Sequence, residues 1–207
     1  MQKGQYMPTN FHKITGVVLA GGRATRMGGH DKGLLQFHNQ SMIQYIVYAL
    51  RPQVQRVIIN ANRNQAIYAQ QTNCHVISDI FGEYAGPLAG IASGLQAAQT
   101  EYVLFVPCDS PFITDQLAIR LYTTLCNQNA DICVAEDGQR VQMVFSLIKC
   151  SLLADLIIFL QTGGRKVAAW YEQQQWVRAD FSDVPNMFLN ANTPLEYEKM
   201  LNILNVM

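Results

Sequence analysis

The chain has 207 residues, 49% hydrophobic and 14% charged, and its 15 Lys and Arg are matched by 15 Asp and Glu. That length and apolar content suit one domain with a sizeable core, and zero net charge supplies no basic face of the kind nucleic acid selects. No uncharged apolar run approaches the ~18 residues of a membrane span.

Residues 1–13 are polar, with Pro8 and Asn10 and no apolar segment, so they read as a flexible extension and not as a signal peptide. Residues 14–207 read as a single domain. Five cysteines, Cys74, Cys108, Cys126, Cys133 and Cys150, are odd in number and never spaced C-x-x-C. This argues against a disulfide scaffold or zinc knuckle and fits a reducing cytoplasm. His12, His30, His38 and His75 stand singly and make no ligand set.

In chain order, residues 14–20 form the first expected strand, and Ser41 caps a helix over 42–50 that Pro52 helps to end. A short strand over 57–60, a helix over 64–71 and a strand over 74–78 follow. Residues 87–98 predict a helix with Pro87 in its first turn. Its Gly90 and Gly94 cost roughly 1 kcal/mol each against Ala, which close packing or a bound ligand would explain. Residues 102–107 are a buried strand, after which Thr114 or Asp115 starts a helix. Strands over 131–135 and 141–148 are joined across Asp137-Gly138, a hairpin signal that implies mixed pairing. Ser151 opens a helix to Gln161, Gly163-Gly164 breaks it, and Thr193 with Glu196 forms a capping box for the last helix. Trp170, Tyr171 and Trp176 read as packing. This alternation predicts an α/β fold, a three-layer α/β/α arrangement around a mostly parallel, Rossmann-like sheet.

The most informative stretch is residues 19–32, L-A-G-G-R-A-T-R-M-G-G-H-D-K. A buried strand that empties into a glycine-rich, cation-bearing loop presents amide groups and positive charge to phosphates. The spacing matches neither the Walker loop nor the dinucleotide fingerprint. Gly21 and Gly22 let the main chain come close to a ligand, and Arg26 and Lys32 add a forked and a point cation, a set suited to a triphosphate. The competing reading is a tight turn flanked by solvated cations. Asp31 reads as an orienting partner of Lys32, because a phosphate acceptor needs no general base.

Asp109 follows the 102–107 strand at the sheet's carboxyl edge, where a carboxylate either holds Mg²⁺ or caps the next segment. Asn60 ends the second strand and reads as an amide for base or ribose, or as an Asx-turn. Asp79, on residues alone, is a loop cap. Arg165 and Lys166, after two glycines, either receive an acceptor's phosphate or form an exposed turn. Asn190 and Asn192 either bind the acceptor or cap a helix that Thr193 already caps. Cys108 reads as a small strand residue, not a nucleophile.

The pattern L-A-G-G-x-x-x-R-M-G-x-x-D-K, with V-I-I-N-A-N-R at 57–63, G-P-L-A-G at 86–90, P-C-D-S-P at 107–111 and N-A-N-T-P at 190–194, resembles the molybdenum cofactor guanylyltransferases of the MobA type. The first motif alone marks the nucleotidyltransferase superfamily, and N-A-N-R narrows the choice. The resemblance implies transfer of GMP from GTP to the terminal phosphate of molybdopterin carrying molybdenum, with pyrophosphate released. It implies GTP contacts at Leu19, Ala20, Gly21, Gly22, Lys32, Asn60, Asp79 and Asp109, with Mg²⁺ on Asp109 and catalytic roles for Arg26, Lys32 and Asp109. Acceptor contacts are expected at Arg165, Lys166, Asn190 and Asn192. A cytoplasmic enzyme is expected, with molybdenum-insertion and molybdoenzyme maturation proteins as partners and neither nucleic acid nor membrane.

One departure bears on acceptor recognition: Gln142-Met143 stands where family members often carry His-Pro. The competing functions are a CTP-dependent enzyme on the same cofactor, a sugar-1-phosphate nucleotidyltransferase, and a non-catalytic nucleotide-binding regulator. The last would be expected to lack Asp109 or Lys32. Guanine itself would be read largely by backbone near Leu19 and Ala20, so the base preference rests on analogy.

Overall fold

A computed structural model describes residues 11–21, 31–82, 86–191 and 193–204. After a 3₁₀ turn at Phe11–Lys13, the end of the expected extension, the chain enters strand β1 (Ile14–Leu19). A hairpin of two-residue arms, β2 (Gln36–Phe37) and β3 (Gln40–Ser41), leads into helix α1 (Met42–Leu50). Then come β4 (Arg56–Asn60), α2 (Gln65–Thr72), β5 (His75–Ile77), α3 (Pro87–Ala97) and β6 (Tyr102–Pro107). The second half runs α4 (Leu117–Asn127), β7 (Ile132–Glu136), β8 (Val141–Lys149), α5 (Leu153–Gln161), α6 (Val167–Tyr171), β9 (Trp176–Asp180) and α7 (Pro194–Leu204).

Seven strands form the main sheet in the order β5-β4-β1-β6-β8-β7-β9. Every neighbouring pair is parallel except those of β8, which runs antiparallel to both β6 and β7. The run I-T-G-V-V-L of β1 is buried on both faces, as a strand covered on both sides must be. Alternate residues therefore serve two cores. Ile14, Val18, Leu104 and Val106 face Ile43, Ile46 and Leu50 of α1, Leu117 and Leu121 of α4, and Met200 of α7. Val17, Val103 and Phe105 face Leu88 and Ile91 of α3, Leu156 and Leu160 of α5, and Trp170 of α6. The expected three-layer α/β/α arrangement is present.

The glycines of α3 answer to close packing. A Cβ on Gly94 would lie 2.6 Å from Phe105 Cε1, and one on Gly90 would lie 2.5 Å from Asn60 Oδ1 and 2.9 Å from Leu19 Cδ2. The helix rides nearer the sheet than a side chain allows.

Several boundaries differ from expectation. Thr114 and Asp115 do not begin α4. Thr114 Oγ1 instead accepts the Gln116 N–H at 3.4 Å, which makes a turn just ahead of the helix. Ser151 lies in a 3₁₀ turn, Cys150–Leu152, so α5 starts two residues later. The β2–β3 hairpin, the five-residue α6 and the parallel edge strand β9 are additions. The β7–β8 hairpin is present and mixed as expected. Asp137 Oδ1 accepts the N–H groups of Gln139 and Arg140, and Gly138 takes a positive φ of 86° that suits glycine. Register jumps from Val134↔Ser146 to Ala135↔Gln142, which bulges residues 143–145 out of the pairing. No described helix is long and apolar enough to cross a membrane.

Candidate active site

The chain winds outward from β1 to β4 and β5, then crosses back to β6 on β1's other side. This reversal opens a crevice at the carboxyl ends of the strands, where open α/β sheets take their ligands. Leu19 ends β1 and is paired with both Asn60, the end of β4, and Pro107, the end of β6. One parallel register thus delivers Gly21, Asn60 and Asp109 to the same edge. Main-chain bonds lock the junction: Cys108 N–H donates to Leu19 O at 3.1 Å, and Ala20 N–H donates to Asn60 O at 2.8 Å.

On the β4 side, Asp79 is the hub. Its Oδ1 accepts from Asn60 Nδ2 at 3.0 Å, its Oδ2 from Asn62 Nδ2 at 2.8 Å, and its own N–H donates to Asn62 Oδ1 at 2.9 Å. Asn60 is buried, while Asp79 and Asn62 are half-buried and open toward the edge. A Cβ on Gly21 would stand 3.4 Å from Asn62 Nδ2 and 3.6 Å from Asn60 Oδ1, ordinary contact distances. Among the described residues the space at Gly21 would accept a Cβ.

On the β6 side, Lys32 Nζ donates to Asp109 Oδ2 at 2.9 Å, with the side chains 22% and 15% exposed. The pair is sheltered enough to hold one geometry yet open to solvent on one side. Asp31, buried, turns the other way: its Oδ1 accepts the Tyr68 hydroxyl at 2.5 Å and its Oδ2 accepts Asn64 Nδ2 at 3.3 Å. Burial, then the neighbouring Cys108 and the Asp31 carboxylate, keep the Tyr68 phenol protonated. Burial likewise pushes the Cys108 thiol far up, helped by Asp109 and Asp31, so it is no thiolate nucleophile. Half-buried Arg63 also belongs here, with its Nη2 sealed from solvent and unpartnered among the described residues.

The far end of the chain closes over the same loop. Ala191 N–H donates to Asp109 O at 3.2 Å, and the buried Ser110 donates its Oγ to Asn190 Oδ1. Asn190, expected at the acceptor, thus spends its carbonyl oxygen on bracing the Asp109 loop. Arg165 and Lys166 lie apart, at the corner between α5 and α6, and both are exposed. Arg165 Nη1 caps the end of α5, donating to Leu160 O at 2.8 Å and Gly164 O at 2.6 Å, while Lys166 is the N-cap residue of α6. Their link to the crevice is Gly86, whose Cβ position lies 3.8 Å from Arg165 O and whose φ of 85° starts α3. Gly22, Arg26 and Asn192 lie outside the described residues. Gln142, at the departure from the family pattern, donates its Nε2 to Asp137 Oδ2 at 2.7 Å.

Four residues of this cluster carry weight that sequence reasoning did not give them. Asn62 shares the N-A-N-R motif with Asn60 at a spacing of two, which was a usable signal. Tyr68 and Asn64 sit on and at the start of α2, and Ser110 lies beside Asp109, with nothing local to mark their partners. Among the described residues no group of three or more His, Cys, Asp or Glu could cage a metal.

The family described as MobA-like NTP transferase domain matches residues 16–177. A curated relative named molybdenum cofactor guanylyltransferase, from Vibrio cholerae, is 47% identical over 180 residues, covering 87% of this chain and 87% of its own. A protein of the same name from Shewanella piezotolerans is 43% identical over 187 residues, 90% of this chain and 91% of its own. Among solved structures, molybdopterin-guanine dinucleotide biosynthesis protein A from Archaeoglobus fulgidus has a TM-score of 0.78 at 19% identity, covering 93% of this chain and 100% of that one. A cytidylyltransferase from Leptospira borgpetersenii has a TM-score of 0.74 at 15% identity, covering 95% and 88%. At those identities the two structures speak to the fold.

Proposed function

The chain belongs to the MobA-like NTP transferase family, and from that membership we propose that it transfers GMP from GTP to the terminal phosphate of molybdopterin carrying molybdenum. The acceptor's phosphate oxygen forms a bond to the α-phosphorus of GTP, the α–β bridging bond breaks, and pyrophosphate leaves. Such a transfer asks for alignment and charge neutralisation more than for proton chemistry.

The observation that carries this reading is the pairing of Lys32 with Asp109 across the mouth of β1, opposite the Asn60–Asp79–Asn62 cluster. Asn60 and Asp79 hold the nucleoside end of GTP, and the backbone of Gly21 lies against its phosphates, with Leu19 and Ala20 beside the base. Lys32 neutralises charge that grows toward the departing pyrophosphate, and Arg26 and Gly22 serve the same phosphates. Asp109 fits Mg²⁺ in the manner of that ion, which takes one or two carboxylates together with substrate phosphates and water in place of an all-protein cage. Mg²⁺ held by Asp109 would supply Lewis-acid stabilisation of the charge on the triphosphate. The acceptor is received by Arg165 and Lys166, on the side of Gly86, and by Asn190 and Asn192.

The test offers purified protein each of the four nucleoside triphosphates with Mg²⁺ and molybdenum-loaded molybdopterin, and reads pyrophosphate. Release with GTP and this acceptor is expected. Release with CTP alone would move the chain to the cytidylyltransferases, and release only with a hexose 1-phosphate would remove the molybdenum cofactor from the reading.

A further inference from the structure

We propose that Tyr68 is a positioning residue for Lys32, acting through the Asp31 carboxylate; this rests on the catalytic role given to Lys32 above. Lys32 opens a short 3₁₀ turn, Lys32–Leu34, closed by Leu34 N–H on Asp31 O at 3.0 Å and Leu35 N–H on Lys32 O at 3.1 Å. The backbone of Lys32 therefore cannot shift without Asp31. Asp31 in turn is held at both oxygens, tightly by the Tyr68 hydroxyl at 2.5 Å and loosely by Asn64 Nδ2 at 3.3 Å. Tyr68 is the strong hold, since hydrogen bonds to a carboxylate from a hydroxyl are short and exceed neutral ones in strength.

The anchor itself is rigid. Tyr68 is wholly buried on α2, packed in the core that α1 shares with the sheet. The turn wraps directly over its hydroxyl, because Gly33 lacks the Cβ that would lie 2.7 Å from Tyr68 Oη. From this fixed turn the Lys32 side chain reaches Asp109 on the loop after β6. The sequence spaces these parts 37 and 77 residues apart, so the fold alone brings them together. Without the hydroxyl, a buried carboxylate loses its principal donor and turns toward another, carrying the turn and the ammonium group with it. A displacement of ~1 Å in a group that stabilises a transition state is enough to cost up to 10²-fold in rate.

Tyr68→Phe removes one oxygen and no packing volume. The expected result is a kcat reduced about tenfold with KM for GTP within about twofold, the split that marks loss of an interaction made in the transition state. Gly33→Ala, which pushes the hydroxyl aside without deleting it, is expected to give the same split. A second readout is independent of turnover: acylation of the Lys32 amine by an excess of amine-reactive reagent, followed by mass spectrometry, is expected to run several-fold faster in Tyr68→Phe. Thermal unfolding separates a general loss of fold. A Tyr68→Phe enzyme with parental kcat and parental Lys32 labelling overturns the proposal, as does a loss of stability with no change in either. If the parental protein transfers no GMP yet the labelling difference is present, the functional reading falls and the positioning role stands.

Discussion

Gly90→Ala tests whether the Asn60–Asp79 contact serves the nucleotide. The new Cβ would lie 2.5 Å from Asn60 Oδ1 and 2.9 Å from Leu19 Cδ2. Comfortable carbon contacts begin near 3.5 Å, so the amide must retreat by roughly 0.8–1 Å. It has little room, being 2% exposed and bonded to Asp79 Oδ1 at 3.0 Å. A retreat of that size carries the bond past hydrogen-bonding distance. The broken Asn60–Asp79 bond costs stability, while the displaced amide also loses its contact with the nucleotide; one such hydrogen bond, worth about 0.5–1.5 kcal/mol, converts to roughly 2- to 13-fold in Kd for GTP. The helix meanwhile gains about 1 kcal/mol from replacing Gly by Ala, against about 1–3 kcal/mol for overpacking. The expected signature is thus a loss of GTP affinity that accompanies a loss of stability. Gly94→Ala is the control, because its Cβ meets Phe105 Cε1 at 2.6 Å and not the amide. It should lower the unfolding temperature and leave GTP affinity alone. Calorimetric titration with GTP beside thermal unfolding reads both quantities. A Gly90→Ala protein that binds GTP at parental affinity, or a Gly94→Ala protein that loses as much, would refute the reasoning.

Lys32→Ala is expected to lower kcat by ~10²–10³, the usual cost of removing a preorganised charge-stabilising group; a change confined to KM would assign Lys32 to ground-state binding. Asp109→Asn keeps the size and removes the charge, so turnover should collapse while GTP still binds, and added Mg²⁺ should not restore the rate. Parental turnover would give the metal to another residue. Asp183, outside the site, is held below the usual carboxylate range chiefly by its hydrogen bond from Arg120, a bond of 2.8 Å. A depressed carboxyl contributes stability above its unfolded value near pH 4 and loses it as pH falls through the folded value. Asp183→Asn should therefore lower the unfolding temperature at pH 6 and lower it less as the pH falls through the acid range, and an equal effect throughout would remove the pairing as its cause.

What the sequence made legible is what local chemistry writes. The apolar strands β1 and β6 and the capping box in which Thr193 Oγ1 accepts the Glu196 N–H at 3.2 Å were all readable from a few adjacent residues. So was the antiparallel hairpin across Asp137, whose turn chemistry is local. The edge strand β9 was not, because W-V-R-A-D alternates weakly and takes its strand form from pairing with β7. Five-residue α6 is too short to show a helical period. In the candidate site, Asn60 and Asp109 were findable because strand ends point there. Tyr68 on Asp31 and Ser110 on Asn190 were hidden, since each joins segments that only the finished sheet makes neighbours.

The brace on the Asp109 loop has a consequence for how the protein is made. Ser110 waits for Asn190, 80 residues later in the chain, and the Asp109 carbonyl waits for Ala191. Helix α7, which follows, also reaches back to the β2–β3 hairpin, where Tyr197 bonds Gln36 O and its ring meets Phe37 at 4.9 Å. At about 5–20 residues per second of synthesis, the interval from 110 to 190 lasts several seconds. During it the sheet strands β1, β4, β5 and β6 are already available to pair, while the loop that carries Asp109 has no support from behind. A nascent chain can thus build much of its core before its crevice acquires a fixed shape. The fixed shape of the crevice depends on a contact between segments 80 residues apart.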